Sequence, residues 1–121
     1  MIGPIDIGYP PRDLSPNGRA HHMALHRAKK KQLEEAYWAT KVVLPRDWEH
    51  NGLPLTIAIA WHPVAGKAAP DRDNALASLK GALDGIAKAL GVDDKLFRPV
   101  LTVADHKPAG AVSFNIIPET L

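Results

Sequence analysis

Leu55, Ile57, Ile59 and Trp61 alternate with Thr56, Ala58 and Ala60. A period of two over residues 53–62 is the spacing of a β-strand, whose successive side chains point to opposite faces. Both sets are apolar or small, so this strand is expected to be central and covered on both faces. Such a strand needs partners along its edges and helices to pack on it. Two helices are available. Residues 19–43 place Leu25, Ala28, Ala36, Ala39 and Val43 at helical spacing, with Pro45 as the stop. Residues 73–91 carry the stripe Leu76, Leu79, Leu83, Ile86 and Leu90, and Gly91 ends it. Residues 2–9 read as a first strand that stops at Pro10-Pro11. Residues 98–106 and 111–117 read as two more, joined as a hairpin across Lys107-Pro108-Ala109-Gly110. Loops fill residues 10–18, 47–52 and 63–70. The expected fold class is α+β. One small domain over residues 1–121 holds a mixed sheet of about four strands and two main helices, in the order β-α-β-α-β-β.

A chain of 121 residues can bury one modest core. The absence of cysteine excludes disulfides, zinc–thiolate sites and thiol catalysis, and it fits a reducing cytoplasm. No apolar run approaches the roughly 20 residues that span a bilayer. The start, Met1-Ile2-Gly3-Pro4-Ile5-Asp6, lacks the layout of a signal peptide. A cytoplasmic protein with no membrane partner is expected.

The acids are unevenly placed. Asp71-Arg72-Asp73-Asn74 precedes the second helix and Asp93-Asp94 follows it, in a chain of net charge +2. Asp71 and Asp73, at i and i+2, share one face of an extended segment. Asp73 or Asn74 would cap the helix that follows, and one Asp at a helix start is explained by capping and the helix dipole; two acids beside an Asn ask for more. Grouped carboxylates in a basic surface are most simply joined by a hard divalent cation, Mg²⁺ above all and Mn²⁺ as a substitute. On one continuous helix Asp73, Lys80 and Asp84 share a stripe beside the leucines. Lys80 can steady a phosphate there, or simply pair with Asp84 at i,i+4 in solvent. A straight helix puts its far end about 25 Å from Asp73. Asp73 and Asp94 therefore meet only if the chain bends back or a second subunit takes part.

The bases are grouped as well. Arg12, Arg19, Arg27, Lys29, Lys30 and Lys31 fall in one stretch against the single acid Asp13, together with His21, His22 and His26. On the first helix Arg19, His22, His26 and Lys29 recur at three- and four-residue steps, a stripe able to follow phosphates. Asn17 and Arg19 stand where a helix N-terminus would hold a phosphate oxygen. His22 and His26 also have the spacing of two metal ligands, without the Glu of a His-Glu-x-x-His pattern. A basic face that merely contacts water remains the plain alternative. Trp38, Trp48 and Trp61 read as core or interface residues rather than base-stacking platforms.

Taken in order, Tyr9-Pro10-Pro11, Ser15-Pro16-Asn17, Asp71-x-Asp73-Asn74, a helix with Lys80 and Asp84, and Gly91-Val92-Asp93-Asp94 resemble the RusA family of small Holliday-junction resolvases. The resemblance runs over nearly the whole chain. It implies a homodimeric, Mg²⁺-dependent endonuclease that cuts four-way DNA junctions by paired nicks in recombination and repair. It also implies that Asp71, Asp73 and Asp94 hold the metal and carry catalysis, with Asp93 beside them. The family's catalytic lysine falls three residues after the Asn, where this chain has Ala77; Lys80, one turn later, is the nearest substitute. The DNA-binding set would be Asn17, Arg19, His22, His26, Arg27, Lys29 and Lys30.

Two other classes fit the same residues. A non-catalytic DNA-binding module would use the acids only as caps and turns. A metal-dependent phosphohydrolase of small substrates fits less well, since such substrates do not need so long a cationic surface.

Overall fold

The computed structural model describes residues 1–15 and 21–121. It is an α+β fold in which one four-stranded mixed sheet packs against three helices: β1 (Ile2–Ile7), α1 (His22–Val43), β2 (Leu55–His62), α2 (Arg72–Ser78), α3 (Lys80–Leu90), β3 (Phe97–Val103) and β4 (Ala111–Pro118). Single 3-10 turns at Arg12–Leu14 and Asp94–Leu96 complete the chain. Among the described residues no helix is long and apolar enough to cross a membrane.

The strands lie in the order β1-β4-β2-β3. β4 runs antiparallel to both β1 and β2, while β3 runs parallel to β2. β3 and β4 therefore do not form the hairpin expected from residues 98–117. The turn exists, with Gly110 N–H donating to the Lys107 carbonyl at 3.0 Å. It lies instead on a connection that crosses the end of β2, where Lys107 N–H donates to the Pro63 carbonyl at 3.0 Å and Ala65 N–H to the Lys107 carbonyl at 2.9 Å. Burial explains the exchange. Val112, Phe114 and Ile116 of β4 are fully buried, so β4 takes the interior place beside β2. β3 carries Pro99, which has no N–H for a ladder and suits an edge.

Leu55, Ile57, Ile59 and Trp61 face the helices and join Ile5, Ile7, Val112, Phe114, Ile116, Leu79, Ala82, Ile86 and Leu90 in one core. The opposite face of β2 is not covered as expected: Thr56, Ala58 and Ala60 are only half-buried. Every helix contributing to the core packs on the same side of the sheet, so the small residues of β2 form a shallow outer face.

α1 begins at His22 with His21 as its cap, whose Nδ1 accepts from Met23 N–H at 3.2 Å; the expected start at residue 19 lies outside the described residues. Leu25 is exposed instead of facing the core. α1 and α3 cross closely. A Cβ at Gly81 would stand 2.8 Å from the Lys29 carbonyl oxygen, and one at Gly85 would run into the carbonyl of Leu33. Only glycine permits this approach.

The single helix expected over residues 73–91 is two. The break is at Leu79, with φ −106° and ψ 6°. Its cause is Gln32 on α1, a buried side chain. Gln32 Nε2 donates to the Ser78 carbonyl at 3.0 Å, and Gln32 Oε1 accepts from Ala82 N–H at 2.9 Å. Those two backbone groups would otherwise pair with each other as one i→i−4 rung. The amide has inserted itself into the ladder, a recognised way to kink a helix.

Candidate functional site

Asp71 is the N-cap of α2. Its Oδ1 accepts from Asn74 N–H at 2.9 Å and its Oδ2 from Asn74 Nδ2 at 3.2 Å. Asn74 thus holds the carboxylate of Asp71 by both oxygens, which gives the Asp-x-Asp-Asn motif a local structural logic. Asp73 stands exposed in the first turn of α2, and Arg72 reaches toward the Pro99 carbonyl of β3 at 3.4 Å. Because α2 and α3 are separate helices, the stripe shared by Asp73, Lys80 and Asp84 does not run through. Only Lys80 and Asp84, both on α3, keep their i,i+4 relation.

At the other end the chain does bend back. Gly91 adopts the left-handed conformation (φ 71°), and Val92 N–H donates to the Ala87 carbonyl at 3.0 Å, the longer bond of a Schellman turn. The turn carries Asp93 and Asp94 to the flank of α3. There Asp94 lies near Asp84, close enough for the two carboxyl groups to act on each other. Burial of Asp84 and then the Asp94 carboxylate raise the Asp84 pKa above the ordinary carboxylate value, while Lys80 and Lys29 oppose the rise. Asp93 caps the Asp94–Leu96 turn, and the N–H of Lys95, donating at 2.9 Å, lowers its pKa.

Two neighbouring carboxyl groups repel each other when both are ionised, and a proton or a cation relieves that repulsion. Asp84 and Asp94 have the donor chemistry a hard divalent ion prefers, and Lys80 and Lys29 moderate their charge. Among the described residues, no group of three or more His, Asp or Glu side chains is placed to hold a metal ion. Asp71, Asp73, Asp93 and Asp94 do not form such a group within the one chain. Asp84 is the partner that sequence spacing did not single out. The available signal was Gly91, whose turn returns the following acids toward α3.

The basic helix reaches this pair. Lys29 is half-buried, its backbone lies against Gly81 at the α1–α3 crossing, and its charge opposes the rise in the Asp84 pKa. His22 and His26 lie seven and three residues earlier on the same helical stripe, and both are exposed, as are Arg27 and Lys30. Asn17 and Arg19 fall outside the described residues. Ala77 is exposed near the end of α2, and Lys80 opens α3.

A protein of Xylella fastidiosa (strain Temecula1 / ATCC 700964), called an uncharacterized protein, is 36% identical over 118 residues, covering 93% of this chain and 74% of its own length. The chain belongs to that protein's family. No family model matches the chain, and no solved structure matches it either.

Proposed function

We propose that the chain is a Mg²⁺-dependent endonuclease of the RusA kind, acting as a homodimer on four-way DNA junctions. One observation carries the proposal: Asp84 and Asp94 lie near each other on the flank of α3, within the electrostatic reach of Lys80 and Lys29, where the basic helix α1 crosses α3. An acidic pair at the edge of a cationic helix can hold a cation against a phosphate backbone that the helix itself attracts.

The roles follow from the side chains. Asp84 and Asp94 would hold the ion, and Asp71 and Asp73, which start α2, are the further carboxylates that the Asp-x-Asp-Asn motif supplies. When bound, Mg²⁺ supplies Lewis-acid activation of water and of the scissile phosphate. Asn74 fixes the Asp71 carboxylate by its two hydrogen bonds. Lys80, beside Asp84, is positioned to stabilise a phosphate oxygen as its charge develops. Lys29, His22, His26, Arg27 and Lys30 would align the DNA backbone. A two-fold dimer would present two such sites to opposed strands, which is what paired nicks need.

The test separates binding from cutting. Asp73→Asn and Asp94→Asn should hold a synthetic junction as tightly as the unmodified protein while cleaving it at least about tenfold more slowly. Unchanged cleavage by both variants would remove these acids from the mechanism. A second reading, a DNA-binding module without catalysis, is favoured by the capping roles of Asp71 and Asp93. It predicts junction binding that EDTA leaves unaltered and no nicking at any Mg²⁺ concentration.

A further inference from the structure

Trp38 is 65% exposed, although an indole normally buries most of its large apolar surface. It lies in the middle of α1, not at a frayed end. Its neighbour Tyr37 holds it edge-to-face, with ring centroids 4.9 Å apart and planes at 83°. A T-shaped contact uses at most one of the indole's two faces. Tyr37 is in turn bracketed by two ammonium groups, Lys41 Nζ at 5.6 Å and Lys88 Nζ at 5.4 Å from its ring centre. The exposed indole therefore stands beside a tyrosine ring that two cations, one from α1 and one from α3, flank.

Cations continue along the helix. Arg27, Lys31 and Trp38 stand at i, i+4 and i+11, within about 40° of one another around α1. Lys31 precedes Trp38 by about 10 Å and Arg27 by about 16 Å along the axis. Over its length α1 carries Arg27, Lys29, Lys30, Lys31 and Lys41 against Glu34 and Glu35, and Glu35 is engaged by Gly8 N–H at 3.1 Å. Among the described residues none of Arg27, Lys31, Lys41 and Lys88 forms an ion pair; the two recorded pairs involve Lys95 and Arg98.

We infer that the outer face of α1 is a binding track for an unpaired DNA strand, with Arg27, Lys31 and Lys41 on phosphates and Trp38 stacked on a base. This rests on the DNA-cleaving function proposed above and adds the unpaired strand as the thing recognised. Charge complementarity selects this occupant over another protein. Interface cores are depleted in lysine, whereas Lys41 and Lys88 flank the tyrosine that adjoins this indole, and a base offers an aromatic face and a phosphate together. An opened four-way junction supplies such bases at its centre.

The experiment titrates the full chain with a short oligothymidylate, a blunt duplex and a four-way junction, following tryptophan fluorescence. Trp61 is buried and Trp48 half-buried, so quenching by stacked bases reports Trp38. The expected result is quenching by the oligothymidylate, with Trp38→Ala weakening that binding roughly tenfold or more and Trp38→Tyr restoring most of it. Duplex binding by Trp38→Ala stays near that of the unmodified chain. Single-strand binding that Trp38→Ala leaves intact would overturn the track while leaving junction cleavage standing. So would a shift by Trp38→Ala in the sedimentation of the protein alone, which would assign the face to a second copy. Failure of the protein to bind any of the three DNAs would overturn the proposed function itself. Trp38→Ala should melt like the unmodified chain, which separates loss of a contact from loss of fold.

Discussion

Gln32 is the side chain on which the arrangement of the site most depends, and its replacement by leucine gives a calculable result. The amide supplies one donor and one acceptor to the break between α2 and α3, at 3.0 Å and 2.9 Å, and is only 4% exposed. Leucine fills similar space, offers neither group and admits no water. The Ser78 carbonyl and the Ala82 N–H are then both buried without a partner. Each such group costs about 1–3 kcal/mol. Closing the rung directly would require α2 to move on the core, where Ala75 and Leu79 are buried at 1% and 0% exposure. The sum is a destabilisation of about 2–6 kcal/mol, a large part of the 5–15 kcal/mol of a typical domain. Urea unfolding followed by tryptophan fluorescence measures it, and the Ala82 amide should exchange with deuterium faster in the variant. A loss below about 1 kcal/mol, with Ala82 still protected, would mean that the rung simply closes and that Gln32 does not hold the two helices apart.

Other consequences can be measured in the same way. Gly85→Ala drives a Cβ into the Leu33 carbonyl and should destabilise by about 1–3 kcal/mol or more, read by thermal melting; an unchanged Tm would contradict the close crossing of α1 and α3. The raised pKa of Asp84 means that the folded state holds its proton more tightly than the unfolded state. Stability in EDTA should therefore fall as pH rises out of the ordinary carboxylate range, and Asp84→Asn should flatten that fall and melt higher at neutral pH. Mg²⁺ should raise the Tm of the unmodified chain more than that of Asp84→Asn; equal shifts would exclude Asp84 from cation binding. Trp48→Phe loses the bond from Nε1 to the Leu90 carbonyl, 3.1 Å in length, and should cost about 1 kcal/mol in urea unfolding.

Local signals in the chain were readable and distant ones were not. The period of two in residues 55–61 marks β2, and the Gly91 stop is visible as a residue type at the right position, whereas the cap of α2 is Asp71 and not the expected Asp73 or Asn74. These features depend on neighbours within four or five residues. The break at Leu79 depends on Gln32, separated by nearly fifty residues, and nothing in Ala77-Ser78-Leu79-Lys80 announces it. Strand order failed for a related reason. A Pro-Ala-Gly turn between two strands reads as a hairpin, but the more apolar β4 competes successfully for the place beside β2. The acidic motifs were legible as residues and their grouping was not. The turn at Gly91 brings Asp94 near Asp84, a residue whose spacing placed it on a stripe with Asp73 and Lys80 but not with Asp94.

The central claim, paired cutting of a junction by a metal-dependent site, is tested most directly on a synthetic four-way junction labelled on two opposed strands. Incubated with the full chain and Mg²⁺, it should yield symmetric nicks in both labelled strands, abolished by EDTA and by Asp94→Asn. A junction that the protein binds but leaves intact at every Mg²⁺ and Mn²⁺ concentration would contradict the claim.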